Sequence, residues 1–397
     1  MSVISSTNPG HVPGRSDGAS ATRPRTSVPA RFWAVVGCLM WTVQIYVLLR
    51  WVSGPFFHPV DPGPVQPPTS MKISIATFLV VEWVAFAWFG FRWVVRPLVR
   101  ERRLSFDGMM FVCWSAWYWF WDPFGNYLSI TYSYNAWIPN MGSWTNDIPG
   151  WNTPGTPGAQ VPEPWLFTGG LYGTVIVGTS MLGCAIMRRL RRRYPAMGTL
   201  GLLATTYAVF VVVATGLELL WMRIGLYTYL ATPAGLPVAF PDHYYKYPLV
   251  EGLFFGAMLT SMVYLRWSVN DRGESIAERG ASTLRIGALP RTGVRLMAIV
   301  GFTNVVVFGV FYVPYLLIWS PHPEKVPLDI QRRSYFMNGL CGPQTAIACP
   351  DGNVPLFREQ SITIGPDGRL HTPAGVRVPT GPTTFGEAER RYQEGER

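Results

Sequence analysis

The sequence predicts an all-α, polytopic membrane bundle of about seven transmembrane helices, followed by a small irregular tail with a β-hairpin. Three observations predict it: a shortage of charge, a series of long apolar runs, and arginine clusters in alternate connections. Of 397 residues, 49% are hydrophobic and only 14% charged, where a soluble domain carries about 25% charged residues. The apolar runs lie at roughly 32–52, 73–95, 105–121, 166–187, 199–222, 247–266 and 296–319. Crossing a bilayer takes about 20 residues. The net charge of +10 does not point to nucleic acid, because the basic residues are short clusters between apolar runs.

Taken in order, residues 1–30 are rich in Ser, Pro, Gly and Arg and are expected to be a disordered leader. No cleavage site follows the first run, so it is expected to remain as a helix. Residues 31–320 then form the seven-helix domain. It includes a long aromatic loop over 131–164 that holds no Lys or Arg. Ordered loops of that length commonly act as lids. The third run is the shortest and ends at Asp122-Pro123. Proline lacks an N–H and pushes the preceding residue out of the α region, while Asp favours N-caps. "DPFGN" is therefore expected to break the run and start a short second helix capped by Asp122.

Arginine sets the orientation. Arg15, Arg23, Arg25 and Arg31, then Arg96–Arg103, Arg188–Arg193 and Arg272–Arg295 fall in alternate connections. The positive-inside rule makes that side cytoplasmic. The expectation is a multi-pass cell-membrane protein with a cytoplasmic N-terminus and an extracytoplasmic tail, residues 321–397. Cys38, Cys113 and Cys184 sit within runs as small apolar residues. Cys341 and Cys349 lie in the tail, where an oxidising compartment favours a disulfide over two free thiols. "SITIGPDGRLHTP" reads as two strands about a Pro-Asp-Gly turn. Beyond Gly381 the polar sequence is expected to fray.

Ionisable groups within apolar runs cost about 2.5–3.5 kcal/mol on insertion scales, so each needs a reason. Glu218 lies near the outer end of the fifth run, Glu251 near the outer start of the sixth, and Asp122 at the outer end of the third. Three carboxyls from three helices thus fall at one depth, under the aromatic loop. They are the candidate catalytic groups. Each also has a plain structural reading: Asp122 as a cap, Glu218 paired with Arg223, and Glu251 with Lys246 or Arg223. Glu82 is deeper and alone in its run. Candidate substrate contacts are Trp114, Trp117, Tyr118 and Trp121 beside Asp122, Asn126 a turn beyond it, Asn135, Asn140 and Trp144 from the loop, and His243 from the next outer connection.

There is no intramembrane histidine cluster for di-iron or haem, and no Lys in the last run for a Schiff base. There is also no Walker, G-x-S-x-G or GxGxxG motif. No metal or cofactor is expected; acid–base chemistry is what these residue types offer. The partners expected are an apolar small molecule and membrane lipid, not nucleic acid. Nothing in the sequence sets an oligomeric state.

Three strings are more specific than any short motif: "WDPFGNY", "YNAWIPNMGSWTNDIPGWNTP" leading to "PEPWLF", and "YPLVEGLFFGAMLTSMVYLRWSVNDRGESIAERG". Over roughly residues 30–320 the chain resembles the AveC-like spirocyclases of actinobacteria. The resemblance implies a membrane protein of secondary metabolism that closes a polyketide-type dihydroxy ketone into a spiroketal and can dehydrate the product. It transfers no catalytic residue. A carboxyl acid, a carboxylate base and aromatic faces suit an oxocarbenium intermediate. The alternative expectation is a membrane protein that binds or carries an apolar ligand without reaction. The chain shows no inverted repeat of the transporter kind.

Overall fold

An apolar run satisfies its own backbone by coiling, and six of the seven runs do so. The computed structural model describes residues 27–116, 118–151, 162–319, 322–345, 349–351, 363–364, 370–371 and 381–396. Its long helices are α1 (Val28–Ser53), α2 (Thr69–Glu101), α4 (Trp165–Arg193), α5 (Thr199–Arg223), α6 (Leu249–Trp267) and α7 (Ala288–Trp319). Among the described residues, six helices are long and apolar enough to cross a membrane. Most of the expected leader, residues 1–26, lies outside the described residues.

The third run departs from expectation. Helix α3 (Phe106–Ala116) stops after 11 residues, and a 3₁₀ helix follows over Tyr118–Asn126. The break thus falls before Asp122, and Asp122 does not cap a new helix; Pro123 lies inside the 3₁₀ segment. In a 3₁₀ helix the missing Pro123 donor would have bonded the carbonyl of Phe120. The Trp144 indole N–H takes that carbonyl instead, at 3.0 Å. A residue from the aromatic loop therefore completes the backbone of the broken segment.

The chain runs up and down between two ends. At the arginine-rich end, the Ala30 amide donates to the Arg279 carbonyl at 3.3 Å, and Arg266 holds Asp107 with bonds of 2.9 and 3.0 Å. Helices α1 and α7 meet there at two glycines. A Cβ on Gly37 would lie 2.0 Å from the Met297 carbonyl oxygen, and one on Gly301 would lie 2.2 Å from that of Trp33. Only glycine permits that approach. The outward faces of α1 and α2 remain apolar and exposed, with Val35, Leu39, Val80, Val84 and Trp88 among them.

At the opposite end the loops fold into an ordered layer. Strand β1 (Tyr132–Tyr134) pairs antiparallel with β2 (Tyr227–Tyr229). A smaller pair joins β3 (Val238–Ala239) to β4 (Tyr247–Pro248). The tail docks on this layer through two single-turn helices, α8 (Leu328–Gln331) and α9 (Ser334–Met337). The Ala136 amide donates to Tyr335 O at 2.9 Å, and Asn338 Nδ2 to Tyr134 O at 2.9 Å. Cys341 and Cys349 form a disulfide. Strands β5 (Thr363–Ile364) and β6 (Leu370–His371) pair as the sequence indicated. The Pro-Asp-Gly residues between them lie outside the described residues.

The end of the tail does not fray as expected. It forms α10 (Phe385–Gln393), N-capped by the Thr384 hydroxyl, which accepts from the Glu387 amide. Arg332 anchors this helix by a 2.7 Å bond to Glu389 and by lying 3.9 Å over the Tyr392 ring. A polar sequence is enough here because this charge pair acts together with burial of Phe385 and Ala388.

Candidate active site

Strands place alternate side chains on one face. The two Tyr-X-Tyr strands therefore present four phenols together, in the register Tyr132↔Tyr229 and Tyr134↔Tyr227. Neighbouring rings along and across the strands lie 5.6–5.9 Å apart, mostly edge to face. This tyrosine face covers the mouth of the helices at the end opposite the arginine clusters. Beneath it lies a small cavity of about 80 Å³.

Asp122, Glu218 and Glu251 all line this cavity. They come from the 3₁₀ segment after α3, from α5 and from α6. Each is buried, at 6%, 7% and 2% exposure. The tyrosine face binds two of them. Tyr134 donates to Asp122 Oδ2 at 2.6 Å, and Tyr172 of α4 donates to Oδ1 at 2.6 Å. Tyr132 donates to the Asp122 backbone carbonyl. Glu218 Oε2 accepts from both Tyr227 and Tyr229, the latter at 2.9 Å. The third carboxyl differs: Glu251 shares Tyr229 with Glu218, and its Oε2 has no hydrogen-bond partner among the described residues. Asp122 and Glu218, and Glu218 and Glu251, are near enough for their charges to repel.

Asp122 lies outside the six long helices. Burial raises its pKa, while the hydroxyls of Tyr134 and Tyr172 oppose that rise. The remaining walls are largely apolar or aromatic: Trp221 from α5, Phe255 and Met258 from α6, and Phe311, Tyr312 and Tyr315 from α7. The α7 residues sit in or beside two π-helical turns, Phe308–Tyr312 and Tyr315–Trp319. Such wide turns recur at functional sites. Among the described residues no three His, Cys, Asp or Glu side chains group as a metal site.

A sequence model of the AveC-like spirocyclases matches residues 101–336, more than half of the chain, and that stretch contains all three carboxyls and both Tyr-X-Tyr strands. The chain belongs to the AveC-like spirocyclase family. Neither the curated proteins nor the solved structures give a match.

The other candidate residues of this family member whose side chains are described lie elsewhere. Trp117 falls outside the described residues. Tyr118 begins the 3₁₀ segment. Trp114 is buried with its ring 6.2 Å from that of Tyr172, one layer behind the cavity wall. Trp121 donates its indole N–H to Asn304 and packs on Phe308. Trp144 supports the Phe120 carbonyl. The amides are spent on backbone. Asn126 Oδ1 accepts from the Thr131 and Tyr132 amides at 2.8 and 3.1 Å. Asn135 bridges Gly225 O and the Trp137 amide. Asn140 Oδ1 accepts from the Val60 amide at 3.0 Å. These bonds close loops and leave little for a ligand. His243 stacks on Tyr245 at 4.9 Å, and Arg223 covers the same ring at 4.1 Å. None of these residues whose side chains are described lines the cavity.

The pairings weighed for the carboxyls also resolve. Arg223 is on Tyr245 rather than Glu218. Lys246 donates to Leu230 O at 2.9 Å rather than to Glu251. Glu82 is buried against Gly170 and does not reach the cavity. The sequence reading missed the clamping tyrosines. Their signal was the repeated "YSY" and "YTY" at Tyr132 and Tyr227.

Proposed function

We propose that this cavity is the active site of a membrane-embedded, acid–base cyclase and dehydratase acting on an apolar hydroxy ketone of polyketide or lipid type. The observation that carries the reading is the triad of buried carboxyls, two fixed by tyrosine pairs and the third with a free oxygen. Family membership supports the reaction class, and the aromatic walls suit an apolar substrate. The exposed apolar faces of the long helices support membrane embedding. The arginine distribution supports a cytoplasmic N-terminus and an extracytoplasmic tail in the cell membrane.

In the proposed cycle a substrate hydroxyl adds to the ketone carbon, giving a hemiketal as its proton passes to the former carbonyl oxygen. Glu251, through its free oxygen, then protonates the hemiketal hydroxyl, which leaves as water. The resulting oxocarbenium ion lies among tyrosine and phenylalanine rings and near the Asp122 and Glu218 carboxylates, which offset its charge. The second hydroxyl attacks and gives up its proton to a carboxylate. One water is released, and return of that proton to Glu251 resets the site. In dehydration the carboxylate removes a proton from the neighbouring carbon instead. Tyrosine clamps fix the carboxyls against rotation, which favours one product configuration.

The test uses membranes containing the protein and a synthetic long-chain dihydroxy ketone. Loss of one water with formation of a single spiroketal stereoisomer is expected. Glu251→Gln lowers the rate at least about a hundredfold, the usual worth of a general acid. Asp122→Asn and Glu218→Gln slow it and erode stereochemical purity. Recovery of bound but unchanged probe from the wild type identifies a carrier or binding protein instead.

A further inference from the structure

The tyrosine face has a back as well as a front. Alternation along β1 and β2 sends the four tyrosines toward the cavity and Ser133 and Thr228 the other way. Both of these are fully buried, and the tail contributes to their cover. Asn338 Nδ2 donates to Ser133 Oγ at 2.5 Å and to the Tyr134 carbonyl at 2.9 Å. On β2, Thr228 Oγ1 donates to the Tyr244 carbonyl at 2.5 Å, and the Tyr244 amide donates to Asp329 of α8 at 2.8 Å.

Asn338 is held for this contact. It follows α9 directly at φ 51°, in the left-handed region, which asparagine tolerates better than most residues. Its backbone amide donates to Ser334 O at 2.9 Å. The Ser334 hydroxyl donates to Pro62 O at 2.7 Å, which ties the short helix to the α1–α2 connection. The Asn338 side chain is buried, and its Oδ1 has no partner among the described residues. An unpaired buried oxygen is unfavourable. Turning the amide over gives no relief, because Oδ1 would then face the Tyr134 carbonyl oxygen, two acceptors with no proton between them. The amide is committed to Tyr134.

Tyr134 is also the residue whose hydroxyl donates to Asp122 Oδ2 at 2.6 Å. One tail amide thus grips the backbone of a residue whose side chain holds a cavity carboxyl. The contact lies just beyond the stretch that matches the family, which ends at residue 336. We propose that Asn338 is a positioning residue: through the Tyr134 backbone it holds the Tyr134 hydroxyl on Asp122, which makes the tail part of the site. The consequence for turnover rests on the cyclase reading; the grip on β1 does not.

The test uses full-length protein in lipid nanodiscs. Asn338→Gly keeps the left-handed backbone and removes the amide. Asn338→Ser, one bond too short to reach Tyr134, serves if the glycine variant fails to fold. Either variant speeds amide hydrogen exchange of residues 131–135 about tenfold, the worth of one hydrogen bond, and leaves α5 and α6 at wild-type rates. Unchanged exchange at 131–135 overturns the proposal. With the dihydroxy ketone, either variant lowers kcat about tenfold at unchanged KM. A double-mutant cycle separates positioning from general loosening: in a Tyr134→Phe background the same substitution costs less than about twofold. An equal loss in both backgrounds overturns the route through Tyr134. Faster exchange in a protein that leaves the ketone unchanged upholds the grip on β1 and sinks the cyclase reading; conversion without any change in exchange does the reverse.

Discussion

Tyr134 and Tyr227 fix the two clamped carboxyls, so their hydroxyls are the most informative single atoms to remove. Tyr134→Phe leaves Asp122 Oδ2 without its donor. Leaving a buried polar group unpaired costs about 1–3 kcal/mol. A fall in the thermal unfolding midpoint is expected, read in detergent by loss of helical signal. An unchanged midpoint removes the clamp from the account. Lys246 gives a pH-dependent case outside the long helices. It is 1% exposed, and burial lowers its pKa from 10.5 to about 7, partly opposed by Glu324 and Asp242. Between those values the unfolded chain holds a proton that the native chain has released. Stability therefore rises with pH from about 7 upward. Lys246→Met should flatten that part of the stability–pH curve; an equally steep rise in the variant contradicts it.

Elements set which of these residues meet. Asp122 and Glu218 were legible as candidates because charge inside an apolar run is anomalous, and their common depth followed from counting along each run. Glu251 was legible for the same reason. The tyrosine clamps were not, because Tyr132 and Tyr229 become neighbours only when strands 95 positions apart pair. Asn126, Asn135 and Asn140 were read as ligand contacts, yet a loop without regular structure must satisfy its own amides, and these side chains do so. The shortened α3 was hidden because an apolar, aromatic sequence suits a 3₁₀ segment as well as an α-helix. At the α1–α7 contact, Gly37→Val drives a side chain into the Met297 carbonyl. Overpacking of this kind costs about 1–3 kcal/mol, expected as a lower midpoint and as easier crosslinking of α1 away from α7. Full wild-type stability in that variant argues against the close crossing.

The whole molecule stacks three layers: an arginine-rich base, the apolar helices, and a layer of loops closed by the tail. The family match ends at residue 336, within α9, so the disulfide and α10 lie beyond it. Cys341 and Cys349 bridge eight positions, and a short bridge of this size contributes about 2–3 kcal/mol by constraining the open chain. Cys341→Ser should make the tail more sensitive to protease while leaving the helical signal of the six long helices intact. Equal sensitivity with and without the bridge contradicts a docked tail.

The central claim is that the tyrosine-clamped carboxyl cavity carries a ketone through an oxocarbenium ion. The most direct measurement supplies the dihydroxy ketone with heavy oxygen at the ketone. It then follows that label by mass spectrometry in wild type and Glu251→Gln. The account predicts that the wild type yields a spiroketal free of the label, which leaves in the released water, and that the variant yields almost none. Product from Glu251→Gln at the wild-type rate, or probe returned intact by the wild type, contradicts it.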